Sequence, residues 1–428
     1  MKILFCATDR PGHIASGPNA WIQRLIPDLR LKYNLEVEVL FVYSGDISLC
    51  PTINFFMENE LPFHTINRKK INFISDQVKE ILRIIKKGDF TVLVANLVVP
   101  AFYCAKFLKK SNVPVVGVLH SNDLFYKSVI ENFIESSNEN FITHAVAVSN
   151  FLGALASEKN TNRIHIETIP CGTPTANTCA EKPNDTLSVL YAGRLEVEQK
   201  QIMKLAESFL NASRKNPKLK FTIVGSGTQE NNLKKLLDEN KDHSVCYKGA
   251  VSPSNIGEEM AKHHVFTLLS DFEGMPVALM EGMSSGLVPV CLQEESGINE
   301  IIKHGVNGFV VKNRGQDYLE KLSILSSDFS LWESMSQESI KAINSEYSSD
   351  IVHAKWAVLL KSFETIQVRP IQIPSYIRLK GDLLHYGDNR KPEWKDILIQ
   401  DVKKEWSNFK KRARPRTRLR SLFKRNEK

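Results

Sequence analysis

The sequence predicts an α/β protein built from two doubly wound parallel sheets facing a central cleft, followed by a basic C-terminal tail. Three observations lead there. Short apolar, β-branched runs alternate with longer segments of helical period; a Thr/Pro/Asn-rich break divides these runs into two sets of similar size; and glycine or polar residues stand immediately after several of the runs.

The strand candidates of the first half are Lys2–Ala7, Glu36–Tyr43, Thr91–Ala95, Val115–Leu119 and Ala145–Val148. Those of the second half are Ser188–Ala192, Lys220–Val224, Val245–Lys248, Val265–Leu269, Val288–Leu292 and Gly308–Val311. Near-continuous Val/Ile/Leu runs belong to strands buried on both faces, as in a parallel sheet covered by helices. Alternation of such strands with helical segments specifies a doubly wound sheet.

A chain of 428 residues exceeds what one core ordinarily holds. The break at Thr173–Thr186 (TPTANTCAEKPNDT) has linker composition. The expected units are therefore 1–172, 187–345, a helical segment 346–365 packing back towards the first unit, and a tail over 366–428. The last helix, Asp350–Thr365, carries apolar residues at Ile351, Ala354, Trp356, Leu359 and Phe363. Pro370 and Pro374 end the regular pattern, and Pro27 is expected to kink the first long helix.

Apolar residues make up 42% and charged residues 24% of the chain, which excludes disorder for most of its length. The net charge of +8 is unevenly placed. The last 63 residues hold 18 Lys and Arg against 7 Asp and Glu, so the body is close to neutral. Any polyanion partner must then be sought by the tail. From Lys410 onward ten basic residues and one Glu interleave with Leu419, Leu422 and Phe423. That segment suits an anionic membrane surface; a solvated tail is the competing reading, and nucleic acid is a weaker fit.

Seven cysteines include no C-x-x-C pair. Cys6, Cys246 and Cys291 fall in strand candidates as small apolar residues, a usage that fits a reducing compartment and argues against zinc. The first residues hold too short an apolar run for a signal peptide, and no run spans a bilayer, so a cytoplasmic chain, at most peripheral on the inner membrane face, is expected.

In doubly wound sheets ligands bind beyond the carboxyl ends of the strands. Gly17 lies in the loop after the first strand, and His120 follows Val115–Leu119. Gly193-Arg194 follows Ser188–Ala192, Gly225-Ser226-Gly227 follows Lys220–Val224, and Ser270–Gly274 follows Val265–Leu269.

Arg194 and Lys200, the latter expected at the start of a helix over Gln199–Arg214, offer a forked donor and a point charge for one diphosphate. Two solvated cations beside Glu196 and Glu198 are the bland alternative. In FEGMPVALMEGMSSGLVP, Pro276 suits the first turn of a helix to about Ser285, whose free amides form an anion site. Gly274 allows backbone approach, with Met275 and Val277 beside it. Glu273 stands in the loop and Glu281 in the second turn, about 7.5 Å of helical rise beyond Pro276. A carboxylate among Leu279, Met280 and Met283 needs a partner or a purpose.

The glycines at 225 and 227 lack the third glycine of a dinucleotide fingerprint, which makes a dehydrogenase a poor reading and leaves a tight turn as an equal reading of Gly225. His120 is either a ligand-facing group or a buried hydrogen-bonding histidine. No D-x-D pair occurs, so no metal or other cofactor is expected.

At this point the chain resembles the family 4 glycosyltransferases, which retain anomeric configuration and have the GT-B fold. EGMPVALME, Glu273 to Glu281, fits the family's E-x7-E signature, and AGRLEVEQK (192–200) resembles its Gly-Arg…Lys diphosphate clamp. VGSGTQ (224–229), GINEII (297–302) and NGFVV (307–311) follow in the family's order.

The resemblance implies a nucleotide-sugar donor and a sugar or glycan acceptor; a lipid-linked acceptor would suit a basic tail on a membrane surface, and without a D-x-D pair the diphosphate charge would fall to Arg194, Lys200 and the helix N-terminus rather than to a metal. It implies that Arg194 and Lys200 hold the diphosphate, Glu273 the transferred sugar and Glu281 the ribose. His120 would lie near the anomeric carbon, and the Gly17 amide near the sugar phosphate. Ser16-Gly17 in place of paired glycines, and Pro170-Cys171-Gly172 in place of Pro-Asn-Gly, depart from the family pattern. A non-catalytic sugar-nucleotide-binding protein, or a phosphorylase or epimerase on the same fold, are the alternatives.

Overall fold

The computed structural model describes residues 1–12, 17–135, 139–240, 244–293 and 296–379. Ser16 and the basic segment 410–428 lie outside the described residues.

The first sheet holds seven parallel strands: β1 (Lys2–Thr8), β2 (Glu36–Tyr43), β3 (Phe63–Asn67), β4 (Val92–Ala95), β5 (Val115–Leu119), β6 (His144–Ala147) and β7 (His165–Thr168). Their order is β3-β2-β1-β4-β5-β6-β7. The second holds six, β8 (Leu187–Ala192), β9 (Leu219–Val224), β10 (Val245–Gly249), β11 (Val265–Leu268), β12 (Val288–Leu292) and β13 (Phe309–Val311). Their order is β10-β9-β8-β11-β12-β13. Every residue of β4, β5, β11 and β12 is buried, because helices cover both faces of these central strands.

This is the GT-B arrangement of two Rossmann-like domains. Both sheets reverse direction of winding beside their first strand, between β1 and β4 and between β8 and β11. Such switch points open a crevice at the strands' carboxyl ends. Shortly after these four strands come Asp9, Asn96, Gly193-Arg194 and Ser270-Asp271, of which Asp9, Asn96 and Ser270 are buried.

The chain crosses back to the first domain near its end. Thr173 in the linker pairs with the backbone of Ser348: its amide donates to the Tyr347 carbonyl (3.0 Å) and its carbonyl accepts from Ser349 (2.8 Å). The helix Ser349–Lys361 then lies against Gly17–Leu31. Trp356 packs at a tilt against Trp21 (5.4 Å) and Phe5 (5.9 Å), His353 meets Asp28 at 2.7 Å, and Asp350 meets Lys32 at 2.7 Å. The helix Gly17–Leu31 continues through Pro27 without interruption.

Four expectations need correction. Residues 366–379 are not free tail: the Arg369 amide bonds the Ser111 carbonyl (2.8 Å), Lys79 Nζ bonds the Ser375 carbonyl (2.8 Å), and Ile371 and Ile377 are buried on the first domain. Lys200 does not open a helix; Gln201 takes a left-handed conformation (φ 48°) and the helix begins at Ile202. Pro276 sits just before its helix, Val277–Ser284, with extended backbone. Cys246 is exposed, because β10 is an edge strand, whereas Cys6 and Cys291 are buried as expected of small apolar residues. Among the described residues no helix is long and apolar enough to cross a membrane.

Candidate active site

Two helices from different domains bring their N-termini together. One starts at Gly17 and the other at Val277. They are close enough that a Cβ on Gly17 would lie 3.6 Å from Val277 Cγ2. Unpaired amides and the helix dipole make each end attractive to an anion, and two facing ends reinforce one another.

Asp9 holds the start of a neighbouring helix, Pro51–Glu58, beside the first of these ends. It is buried, and its Oδ2 accepts the amides of Thr52 (2.8 Å) and Ile53 (2.9 Å). Asn19, two residues into the first helix, donates to the Thr8 carbonyl (3.0 Å) and Thr52 Oγ1 (3.0 Å). The loop after β1 is thus pinned to its neighbour.

Behind the second helix end lies a charged relay. Lys200 Nζ pairs with Glu273 Oε1, with side chains only 12% and 5% exposed. Gln199 Nε2 donates to Glu273 Oε2 (3.2 Å) and to the Phe272 carbonyl (3.1 Å). The Oε1 of the same amide accepts from Arg194 Nη2 (2.7 Å). Arg194 also pairs with Glu196 (2.8 Å) and keeps its side chain 57% exposed at the cleft mouth. Arg194 and Lys200 therefore do not touch one common group here; Gln199 links them through Glu273.

The Tyr191 hydroxyl donates to the Arg194 carbonyl (2.7 Å) and steadies that turn. A second knot, Asp271 with Arg314 and Gln201, anchors the other side of the loop, and Arg314 also donates to the Leu269 carbonyl (2.8 Å).

His120 belongs to the first domain, with its backbone carbonyl against Gly274. Its Nε2 donates to Asn96 Oδ1 (2.7 Å), its Nδ1 lies 3.6 Å from Cys171 Sγ, and Trp21 approaches its ring edge-on at 5.3 Å. Enclosure pushes its pKa down to about 3 and that of the Cys171 thiol up to about 12. The imidazole is thus neutral at physiological pH, with its tautomer set by Asn96.

Gly274 joins the two halves. Its Cα faces the His120 carbonyl so closely that any Cβ would collide with it, so only glycine lets the two backbones meet. The Gly274 carbonyl accepts the Gly297 amide (2.7 Å), and Met275 is buried beside it. Gly225 (φ 144°) fills another close approach, against the Gly193 carbonyl, which holds the β9 loop on the Arg194 loop.

Glu281 points from its helix to the first domain, where Arg24 Nη1 meets its Oε1 at 2.8 Å. Sequence reasoning singled out Glu281 but missed Arg24, along with Gln199, Asn96 and Glu300. Asn96 alone carried a signal, a polar residue directly after a strand at the winding switch. Among the described residues no three His, Cys, Asp or Glu side chains converge as metal ligands.

The fold is that of a two-domain GT-B protein, and comparison with known proteins agrees. Residues 38–177 match the model described as Glycosyltransferase Family 4, and residues 179–342 match that of Glycosyl transferases group 1. The chain belongs to the family 4 glycosyltransferases.

Among curated relatives, the UDP-N-acetylglucosamine–peptide N-acetylglucosaminyltransferase GtfA subunit of Streptococcus gordonii is 30% identical over 205 residues, 46% of this chain and 39% of the relative. The poly(glycerol-phosphate) alpha-glucosyltransferase of Bacillus subtilis is 26% identical over 189 residues, 44% of this chain and 27% of the relative. The chain thus spans less than half the length of these relatives. Pneumococcal O-GlcNAc transferase GtfA, solved with UDP and GlcNAc, superposes with a TM-score of 0.68 at 13% identity, over 85% of this chain and 99% of that one. Anabaena HepE, solved with UDP, gives 0.66 at 15% identity, over 85% and 100%.

Proposed function

We propose that this chain is a retaining, metal-independent glycosyltransferase that moves a sugar from a nucleotide-sugar donor to a hydroxyl of a glycan or glycosylated polymer. The observation that carries this reading is the Lys200–Glu273–Gln199–Arg194 relay, together with the adjoining helix starts at Gly17 and Val277.

The donor diphosphate sits between the Gly17 and Val277 ends, and Arg194 swings from Glu196 onto it. Lys200 stands one side chain behind, so its charge is shared between Glu273 and the phosphate. Glu273 accepts hydroxyls of the transferred sugar, with Gly274, Met275 and Pro276 giving the backbone its close approach. Glu281 takes the ribose. In the transfer the anomeric carbon–phosphate oxygen bond breaks while the acceptor oxygen bonds to the same face of that carbon. The acceptor's proton passes to the departing phosphate oxygen. The cations and helix amides are preorganised where negative charge grows, which is the largest usual source of rate enhancement. His120, neutral and held by Asn96, packs beside the sugar and is not the proton carrier.

UDP-sugars are the first donors to try, since similar proteins use UDP-N-acetylglucosamine or were solved with UDP. The test is incubation with UDP-, GDP- and ADP-sugars in the presence of EDTA, following donor hydrolysis and the released anomer by NMR. Slow release with the donor's own anomeric configuration is expected. No binding or turnover of any donor, or initial release of the opposite anomer, overturns the proposal.

The 410–428 segment supports docking on an anionic membrane, where a lipid-linked acceptor would be presented. Co-sedimentation with phosphatidylglycerol vesicles should fall for a chain ending at Leu379, which keeps the packed 366–379 strap. Equal pelleting rules the membrane role out.

A further inference from the structure

Arg24 and Glu281 are 257 positions apart in sequence and belong to different domains, yet they form a 2.8 Å ion pair. Their side chains are only 20% and 25% exposed, so the pair is sheltered from solvent and weakly screened. Only one carboxylate oxygen is used: among the described residues Glu281 Oε2 carries no hydrogen bond, while Oε1 is held by Arg24. The second arm of the guanidinium, Nη2, is buried and has no partner.

The helices that carry the two residues start side by side at Gly17 and Val277. Moving one domain away from the other therefore separates Arg24 from Glu281 and at the same time parts the two anion-binding helix ends. A free Glu281 on a mobile helix surface would sample several rotamers. Tied at Oε1, it keeps Oε2 in one place.

Resting on the reading above, in which Glu281 receives the ribose, we propose that Arg24 is a positioning residue for the nucleotide. It fixes the Glu281 carboxylate with one oxygen directed at the ribose hydroxyls, so that ribose recognition requires the first domain to be closed onto the second. A vicinal diol donates to that oxygen, and the pair acts as a unit that neither domain supplies alone. Nucleotide binding and domain closure are then linked, since whatever engages Oε2 favours the state in which Arg24 holds Oε1. The unpartnered Nη2 supplies a reserve donor in the same place.

The test compares binding of UDP, GDP and ADP with binding of their 2′,3′-dideoxy forms by calorimetry, in the wild-type protein and in Arg24→Gln, Arg24→Lys and Glu281→Gln. Wild type should prefer the ribonucleotide it binds over its dideoxy form by about tenfold or more. Arg24→Gln should lose most of that preference while its affinity for the dideoxy form stays within about twofold of wild type. Arg24→Lys should recover part of it. Arg24→Gln added to Glu281→Gln should cost nothing further, because the arginine acts through the carboxylate.

Equal loss for both nucleotide forms would mean that Arg24 acts elsewhere, and tighter ribonucleotide binding by Arg24→Gln would mean that it competes with the ribose. Either result overturns the proposal. If wild type binds none of the nucleotides, the reading of the cleft itself fails, and this inference goes with it.

Discussion

Glu300, in the second domain, caps a helix of the first: its Oε2 accepts the amide of Asn150 at 2.9 Å and its Oε1 that of Phe151 at 2.8 Å. These are the opening residues of the helix Asn150–Glu158, whose own cap, Ser149 Oγ, accepts only from Leu152 (3.3 Å). An anionic side chain at a helix N-terminus satisfies free amides and complements the dipole. Because Gly297 just before it bonds the Gly274 carbonyl, this inter-domain cap is tied to the loop that carries Glu273.

Glu300→Ala should therefore lower stability by about 1 kcal/mol, the usual cost of a lost cap. It should also loosen the closed arrangement, so that donor KM rises several-fold with less change in kcat. Steady-state kinetics alongside urea denaturation check this. An unchanged KM with reduced stability would assign Glu300 a local role only.

The Lys200–Glu273 pair calls for a different experiment. Both side chains are nearly buried, so removing one partner leaves the other as an uncompensated charge. Lys200→Ala should destabilise the second domain by about 3–5 kcal/mol. Lys200→Met combined with Glu273→Gln should recover much of that loss, since neither side then carries a buried charge, while donor turnover stays abolished. Denaturant midpoints of the two variants, compared with donor hydrolysis, separate the structural cost from the chemical one.

The pH dependence follows from three enclosed histidines. Burial pushes His120 down to about 3 and His144 and His264 each down to about 4. Unfolded, each would titrate near 6.5. Between those values the unfolded chain binds more protons than the folded one, so stability falls as pH drops below about 6.5 and levels off near 3 to 4. Each such group contributes a slope of up to about 1.4 kcal/mol per pH unit in that window. Replacing His264 by Gln should flatten the acid limb of a plot of melting temperature against pH. The rate profile of donor hydrolysis should show no ionisation of His120 between pH 5 and 8, because its proton is not in play there.

How much of this was readable beforehand depends on where each residue gets its environment. Central strands such as β5 and β12 announce themselves, because burial on both faces demands uninterrupted apolar residues. The edge strands β3 (FHTIN) and β7 (HIET) escaped notice: only Ile66 is fully buried among the nine residues, so no alternation survives to be read. The strap at 366–379 was hidden for another reason: Pro370 and Pro374 break its apolar residues, Ile371 and Ile377 among them, so that they form no regular element.

In the site, strand ends led directly to Arg194, His120 and Glu273. Arg24 and Glu300 did not appear, because their partners lie 257 and 150 positions away and no local pattern encodes such a pairing. Gln199 was passed over as a helix residue, since nothing in the sequence betrays the left-handed turn at Gln201 that keeps it in the loop.

Gly274 supplies the sharpest test of the closed cleft. Its missing side chain is the space in which the His120 carbonyl sits, and the obstacle a Cβ would meet is backbone that no rotamer change can move. Gly274→Ala leaves each domain's core untouched, because the collision is between domains and the φ of residue 274 is not in the left-handed region. A Cβ 1.8 Å from the His120 carbonyl oxygen forces the two domains apart by about an ångström or more beside Glu273. Chemistry that depends on reacting groups held about 3–3.5 Å apart loses on the order of a hundredfold from such a displacement. Donor hydrolysis should therefore fall by about that factor, while nucleotide diphosphate binding, which draws on the Gly17 and Val277 ends and on Arg194, weakens far less. A substitution that cost binding and turnover equally would show instead that the two backbones touch without any consequence for the reacting sugar.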